Sequence, residues 1–465
     1  MQIYNALLGN IPNKHQVTIF QTTLVNLINI NHELAHLAQH IDWDEVENEF
    51  KGYFSENGRP SVHVRRIVGL MLLKSLFNLN DEGTVARWVE SPYFQYFTGE
   101  CLFQIKPPID PADFSKFRRS IGEEGAEKLL KLSIKVNADE MAINTEAMVD
   151  TTVQDKNITF STDVNLCRKV ITRCHMITKE ENIVLRRSYS RELKDLKLKI
   201  RFMNHHKRKK EGLKAKRRMQ TIAKALVNDL GRKMNSGQCK SHLDAPLLYS
   251  IVVPQTRIDK NKVYSLHEPE VQCIAKGKEA KPYKFGNKSS IAMSKSGIII
   301  GAMAFKGDPF DGHTLPEQLK QIKRLSGMTI VNALVDRGYR GRKWIGDTKM
   351  EIPGKCKPTD SYYKKTKAKN KFRRRAGIES VIGHLKKDNR MQRNYLKGNM
   401  GDSINMMMAA ASFNLKHWLN KVILVFNLIY RILIIGALNV FTENRIRMAL
   451  LPVGINCENR GLWQY

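Results

Sequence analysis

Three carboxylates stand where an acid is costly. Asp150 interrupts the apolar, β-branched run EAMVDTTV, Glu146–Val153. Asp336 ends the nearly continuous apolar run TIVNALVD and is followed by Arg337-Gly338-Tyr339. Glu379 falls early in the last amphipathic stretch before residue 390. An acid on a buried strand costs free energy unless it is paired or holds a cation. Two strand carboxylates and one helix carboxylate can converge at the edge of an α/β sheet. Hard oxygen donors of this kind suit Mg²⁺ or Mn²⁺. Two such ions can clamp a phosphodiester, one at the attacking oxygen and one at the leaving oxygen.

The segment holding Glu379 adds geometry. Arg375 precedes it by four residues and Lys386 follows by seven, so all three fall along one helical face. Ile378, Ile382 and Leu385 form a separate apolar stripe that can anchor the helix to a sheet. This face suits a metal ligand between two phosphate-holding cations. An ordinary i,i+4 surface pair between Arg375 and Glu379 is the alternative, and such pairs are common.

These residues need elements to position them. Val64, Ile67, Val68, Met71, Leu72 and Leu76 predict a helix with one strong apolar face, with Ser61 able to cap it. A turn at Asn78–Gly83 separates it from a short helix over Thr84–Glu90, stopped by Ser91-Pro92. Asp113–Val136 reads as further helix, so residues 1–140 form an all-helical region. Glu146–Val153 then reads as a strand. Further strands are expected at Leu247–Val253, Thr329–Val335 and Lys349–Ile352, with a hairpin pairing Lys288–Met293 and Gly297–Phe305. Asp311-Gly-His-Thr opens a helix to about Leu325, and a basic linker, Lys355–Arg375, leads to a helix over Ala376–Asp388.

Charge points to the partner. The 465 residues carry 77 Lys and Arg against 45 Asp and Glu, a net of +32. A chain this basic seeks a polyanion, with nucleic acid the default. Arg186–Lys240 concentrates the excess, with 19 basic and 4 acidic residues and the run Lys207, Arg208, Lys209, Lys210. It reads as a helical insertion whose basic face tracks phosphates, the plainer alternative being a solvated charged surface. Seven cysteines without a Cys-x-x-Cys pair read as free thiols. No signal peptide is evident, which predicts a cytoplasmic protein. Val422–Asn439 is apolar and about long enough to span a bilayer, but Asn427 and Arg431 near its middle favour a buried or partner-facing helix.

Several stretches resemble the DDE transposases of bacterial insertion sequences, of the insertion-sequence-five type. They include IDWDEVENEF, YFSENGRPS, GLMLLKSLFNLNDEGTVARWVESPYFQYFTGE, VDTTVQDKNITFSTD, YSLHEPEVQCIAKGKEAKPYKFG, DPFDGHTL, VDRGYRG and IESVIGHLKKDNRMQRNYLKG. The resemblance runs from about Ile41 to Trp418. It implies a catalytic, metal-binding triad of Asp150, Asp336 and Glu379. The family's Tyr-x2-Arg-x3-Glu-x6-Lys signature falls on Phe372, Arg375, Glu379 and Lys386, with Phe in place of the usual Tyr.

The resemblance implies an α/β fold with a ribonuclease H-like mixed sheet flanked by helices. It further implies a long basic helical insertion, about residues 162–240, and an N-terminal helical domain, 1–140, that binds the element's ends. The catalytic domain would cover 141–418, leaving 419–465 as an apolar tail without a counterpart. The implied reaction is Mg²⁺-dependent cleavage at the element's ends, with two ions, followed by strand transfer into target DNA. The alternative is a transposase-derived protein that binds DNA without cutting it. The partners would be double-stranded DNA, both the element's terminal inverted repeats and the target, and one or more further copies of the chain assembled on it as a homodimer or higher, with no small-molecule substrate, in the bacterial cytoplasm at the nucleoid. Arg375 and Lys386 would steady phosphates, and Asp311 and His313 would either support the site or cap their helix.

Overall fold

The computed structural model describes residues 22–54, 62–141, 145–159, 162–234, 244–256, 259–275, 283–341, 343–352 and 359–449, with side chains up to 425. Seven helices come first: α1 (Leu24–Leu27), α2 (Glu33–His40), α3 (Trp43–Phe50), α4 (Val64–Leu76), α5 (Asp81–Glu90), α6 (Pro92–Phe97) and α7 (Pro111–Lys135). The α4 bounds match the sequence reading, but its burial does not. Gly69, Leu70, Leu73 and Ser75 are buried along with the expected stripe, so α4 is a central helix hidden on nearly every side. Its cap position is His63, whose side chain makes no capping bond, and Ser61 lies outside the described residues.

Helix α5 starts three residues before the expected Thr84, because the Asn80 side chain accepts a hydrogen bond from the Gly83 amide at 2.9 Å. Ser91-Pro92 stops α5 as expected and also starts α6, with Ser91 accepting from the Phe94 amide and Pro92 in the first turn.

Strand β1 (Glu146–Lys156) is followed by four helices: α8 (Asp163–Glu180), α9 (Ser190–Arg201), α10 (Lys209–Lys233) and α11 (Asp244–Val252). Then come β2 (Gln272–Ala275), β3 (Tyr283–Ser294), β4 (Ile299–Phe305), α12 (Asp311–Ser326), β5 (Asn332–Leu334), β6 (Trp344–Ile345), β7 (Thr348–Glu351), α13 (Tyr362–Asp388), β8 (Arg393–Asn394) and α14 (Gly398–Ala449). Two expectations are corrected here. Leu247–Val253 is not a strand, because Leu247–Val252 belongs to α11. Much of the expected basic linker is helix, because α13 begins at Tyr362, capped by Ser361.

The sheet runs β2-β3-β1-β5-β7-β6, with β4 also paired to β3 and β8 to β1. β1 is antiparallel to β3 and parallel to β5, and β5 is parallel to β7. This mixed order, with helices packed on the strands, is a ribonuclease H-like core. The expected hairpin is β3–β4. Gly286 lets β2, β3 and β1 crowd together, because a Cβ there would lie 1.9 Å from the Gln154 carbonyl oxygen.

Two apolar cores form. The larger joins α2–α7 to the sheet, α12, α13 and α14 without a break. Asn414, fully buried on α14, ties these parts together. It donates to Ser133 on α7 at 3.1 Å and to the Ile299 carbonyl at 2.9 Å, and accepts from the Ile299 amide at 2.8 Å. The smaller core lies within the insertion, built from α8, α9, α10 and α11. Cys167 and Cys174 pack inside it as free thiols, their pKa values pushed up to about 11 and about 12, chiefly by burial. The backbone of Val422–Asn439 continues α14, with side chains beyond Val425 outside the described residues. Among the described residues, no helix is long and apolar enough to cross a membrane.

Candidate active site

The parallel register of β1 and β5 sets the first two carboxylates side by side. Met148 pairs with Leu334, so two residues further along both strands Asp150 and Asp336 stand level. Asp150 stays within β1, while the chain turns at Asp336 into a 3₁₀ turn, Arg337–Tyr339. The Asp336 carboxylate accepts from the Gly338 amide at 2.7 Å, which fixes its direction.

Helix α13 brings the third acid. It lies against β1 through Ile378, Ile382 and Leu385, the stripe read from the sequence. Two salt bridges and a hydrogen bond fasten it along the sheet. Lys371 pairs with Glu351 on β7, Arg374 with Glu146 on β1 at 2.5 Å, and Lys386 donates to Thr152 on β1. Between these anchors, Arg375 reaches all three candidate carboxylates. Its Nη1 lies 2.9 Å from Glu379 Oε1, and its Nη2 lies 3.6 Å from Asp150 Oδ2 and 3.8 Å from Asp336 Oδ2. The i,i+4 pair of the plainer reading therefore exists, but its guanidinium also faces the two aspartates. Among the described residues, no three His, Cys, Asp or Glu side chains are gathered closely enough to share an ion as they stand.

The electrostatics follow from burial. Asp150 has only 13% of its side chain exposed, against 35% for Asp336 and 60% for Glu379. Burial pushes the Asp150 pKa up to about 6, Arg375 opposes the rise, and Asp336 and Glu379 add to it. Three carboxylates stand against the single Arg375 guanidinium, so the cluster is short of positive charge.

A layer behind the carboxylates was only partly legible. Asp311 does not cap α12; that position is Phe310. Its carboxylate instead accepts from the Thr151 hydroxyl at 2.8 Å and pairs with Lys288 on β3 at 3.0 Å. Lys288 also holds Asp308 at 2.7 Å and the Pro309 carbonyl at 2.7 Å. Sequence reading missed Thr151 and Lys288, since the register that unites them with Asp311 leaves no local signal. His313 is exposed, its ring against Phe310, and has no hydrogen bond to the carboxylates. Tyr339 is fully buried, and burial with Asp311 and Asp150 nearby raises its pKa.

Lys207, Arg208, Lys209 and Lys210 lie apart from this cluster, all exposed, at the turn joining α9 to the start of α10. Arg208 covers the Phe202 ring at 4.8 Å. Past Lys386, β1 and β3 border a cleft of about 460 Å³ lined by Lys284, Lys387, Arg393 and Tyr283.

The comparisons bear on the same elements. A family model described as a transposase domain matches residues 22–120, and one described as a transposase DDE domain matches residues 251–415. Asp336, Arg375, Glu379 and Lys386 fall inside the second match, and Asp150 falls between the two. A Rhizobium meliloti protein described as "Uncharacterized protein ORF8 in nfe locus" is 36% identical over 198 residues, 42% of this chain and 96% of that protein. No solved structure matches. From the buried N-terminal helices to the sheet and α14, the chain belongs to the DDE transposases of insertion sequences.

Proposed function

We propose that this chain is a working transposase of the insertion-sequence-five type, with Asp150, Asp336 and Glu379 as its catalytic carboxylates. One observation carries the reading: acids from two strands and a helix face a single guanidinium. The donor set fits Mg²⁺ or Mn²⁺, because all three are hard oxygen donors. Three carboxylates facing one guanidinium make a pocket that would gain from added positive charge. Bound there, divalent ions would supply Lewis-acid stabilisation of the phosphodiester oxygens.

The chain's own residues do the rest. The carboxylates hold their positions through the β1–β5 register and the anchors of α13. Lys288 orients Asp311, and Asp311 orients Thr151 beside Asp150. Arg375 and Lys386 steady phosphates on either side of the scissile bond. Water attacks the phosphodiester at an element end and displaces a 3′-hydroxyl, and that hydroxyl attacks a target phosphodiester, joining to its phosphorus and displacing the target strand's own 3′-hydroxyl. The N-terminal helices bind the ends, two copies assemble on them, and Lys207–Lys210 follow the DNA backbone.

The test is cleavage of DNA carrying the element's own ends, by purified protein in Mg²⁺. Asp150→Asn, Asp336→Asn and Glu379→Gln should each lower cleavage by about three orders of magnitude or more, as for members of a set that acts as a unit. Gel-shift binding should survive. A variant that cuts at the wild-type rate removes its residue from the site. A wild-type protein that binds the ends and never cuts them supports the binding-only alternative.

A further inference from the structure

Arg375 is held differently from the arginines that fork onto a carboxylate or bond one on another element. Arg118 makes two hydrogen bonds to Asp81, at 3.0 and 2.8 Å, and Arg324 makes two to Glu127, at 2.9 and 3.1 Å. The Arg374 head bonds Glu146 across the helix–sheet boundary at 2.5 Å. Arg375 makes one hydrogen bond within its own helix, to Glu379, whose side chain is 60% exposed. Its two aspartate contacts, at 3.6 and 3.8 Å, are too long for hydrogen bonds and act through charge alone. Its Nε is buried and has no hydrogen-bond partner. A guanidinium usually locks a carboxylate through its planar fork. Here the fork is loosely met, yet the charge lies near three acids, one of them mostly buried.

This pattern suits a cation that neutralises a site without being fixed in it. Resting on the metal-site reading above, we propose that Arg375 is the resident counter-ion of the metal-free carboxylate cluster and competes with divalent ions for it. The arginine keeps the charged Asp150 compatible with burial, and offsets its repulsion with Asp336, while no metal is bound. When divalent ions enter, like charge makes its position unfavourable, and it gives up the aspartate contacts. The long side chain is then free to meet a DNA phosphate, which couples metal loading to substrate capture. Each cation lowers the other's affinity for the cluster, and the effect is reciprocal.

Mn²⁺ is the probe, followed by electron paramagnetic resonance or calorimetry on the full chain without DNA. Arg375→Gln should bind Mn²⁺ more tightly than wild type, by about fivefold or more, the lower end of usual coupling between sites. Asp150→Asn should abolish the tight binding, which ties the signal to this cluster. In EDTA, Arg375→Gln should melt below wild type, and saturating Mn²⁺ should close the gap. Arg375→Lys keeps one charge on a single-headed donor and should fall between the two in affinity. This variant decides the question if Arg375→Gln does not fold. Equal Mn²⁺ affinity in the variants and wild type overturns the proposal but leaves the metal site standing. A melting gap that persists unchanged in Mn²⁺ also overturns it and makes Arg375 a structural anchor. If wild type and Arg375→Gln both fail to bind Mn²⁺, the metal-site reading falls with it.

Discussion

A methyl group at position 338 would meet two acids at once. A Cβ there would lie 2.5 Å from Asp311 Oδ2 and 2.9 Å from Asp336 Oδ1. The backbone is not left-handed at this glycine, so the requirement is space alone. The Gly338 amide also donates to Asp336, so the residue sets both the direction of that carboxylate and its distance from Asp311. Gly338→Ala should push one acid aside. Displacements near 1 Å at a reacting centre can cost about a hundredfold in rate, and cleavage should fall on that scale. Stability should fall by only about 1–3 kcal/mol, as for other overpacked sites. Cleavage assays alongside thermal melts check this, and wild-type cleavage would show that the spacing is not critical. The glycine stands in VDRGYRG, but its reason could not be read there, because Asp311 arrives from another element.

At the scale of elements, periodicity was reliable where one face is apolar and weak where tertiary pairing decides. The Val64–Leu76 helix, the β3–β4 hairpin and the start of α12 at Asp311 follow their patterns. Leu247–Val253 did not, since a short apolar run fits a buried strand or a buried helix equally well. In the structure its Tyr249 and Val252 close the insertion core. The segment Tyr362–Arg375 looked like a linker because it is basic and has no apolar stripe. Its helix is held by acids on other strands, Glu351 and Glu146, which local sequence does not reveal.

The insertion carries its own prediction. Its exposed turn presents Lys207, Arg208, Lys209 and Lys210 together. Changing all four to Gln should flatten the log-affinity against log-salt slope for duplex DNA by about 3 to 4, since each phosphate contact contributes about 0.9. Preference for end DNA over random DNA should hardly change, because phosphate contacts carry no base information. An unchanged slope would mean that this turn faces away from the DNA. Lost preference at a constant slope would make it a base reader.

At the scale of the whole molecule, the N-terminal helices and the catalytic sheet share one apolar core. Helices α4 and α7 both pack on α14, and Asn137 donates to the Asn414 carbonyl at 3.1 Å. The sequence divides near residue 140, where helical periodicity gives way to a strand, and that change of period hides the continuity of the core. A fragment of residues 22–141 would leave the α14-facing surfaces of α4 and α7 open to water. It should melt without a sharp transition and bind a dye for exposed apolar surface. A cooperative melt comparable to that of the full chain would show that these helices fold alone. The DNA-end binding proposed for the N-terminal region is therefore best tested in the full chain.

The position of α14 also matters to the ribosome. The helix that closes the core begins at Gly398, long after α7 ends at Lys135. At about 5–20 residues per second, on the order of 15 to 50 s of translation separate the two. Throughout that time the apolar faces of α4 and α7 lack their partner, and the nascent chain is a natural client for chaperones. A message cut short before α14 should yield protein that is degraded and does not interfere with intact copies. Completion of the gene is then itself a checkpoint on the protein it encodes.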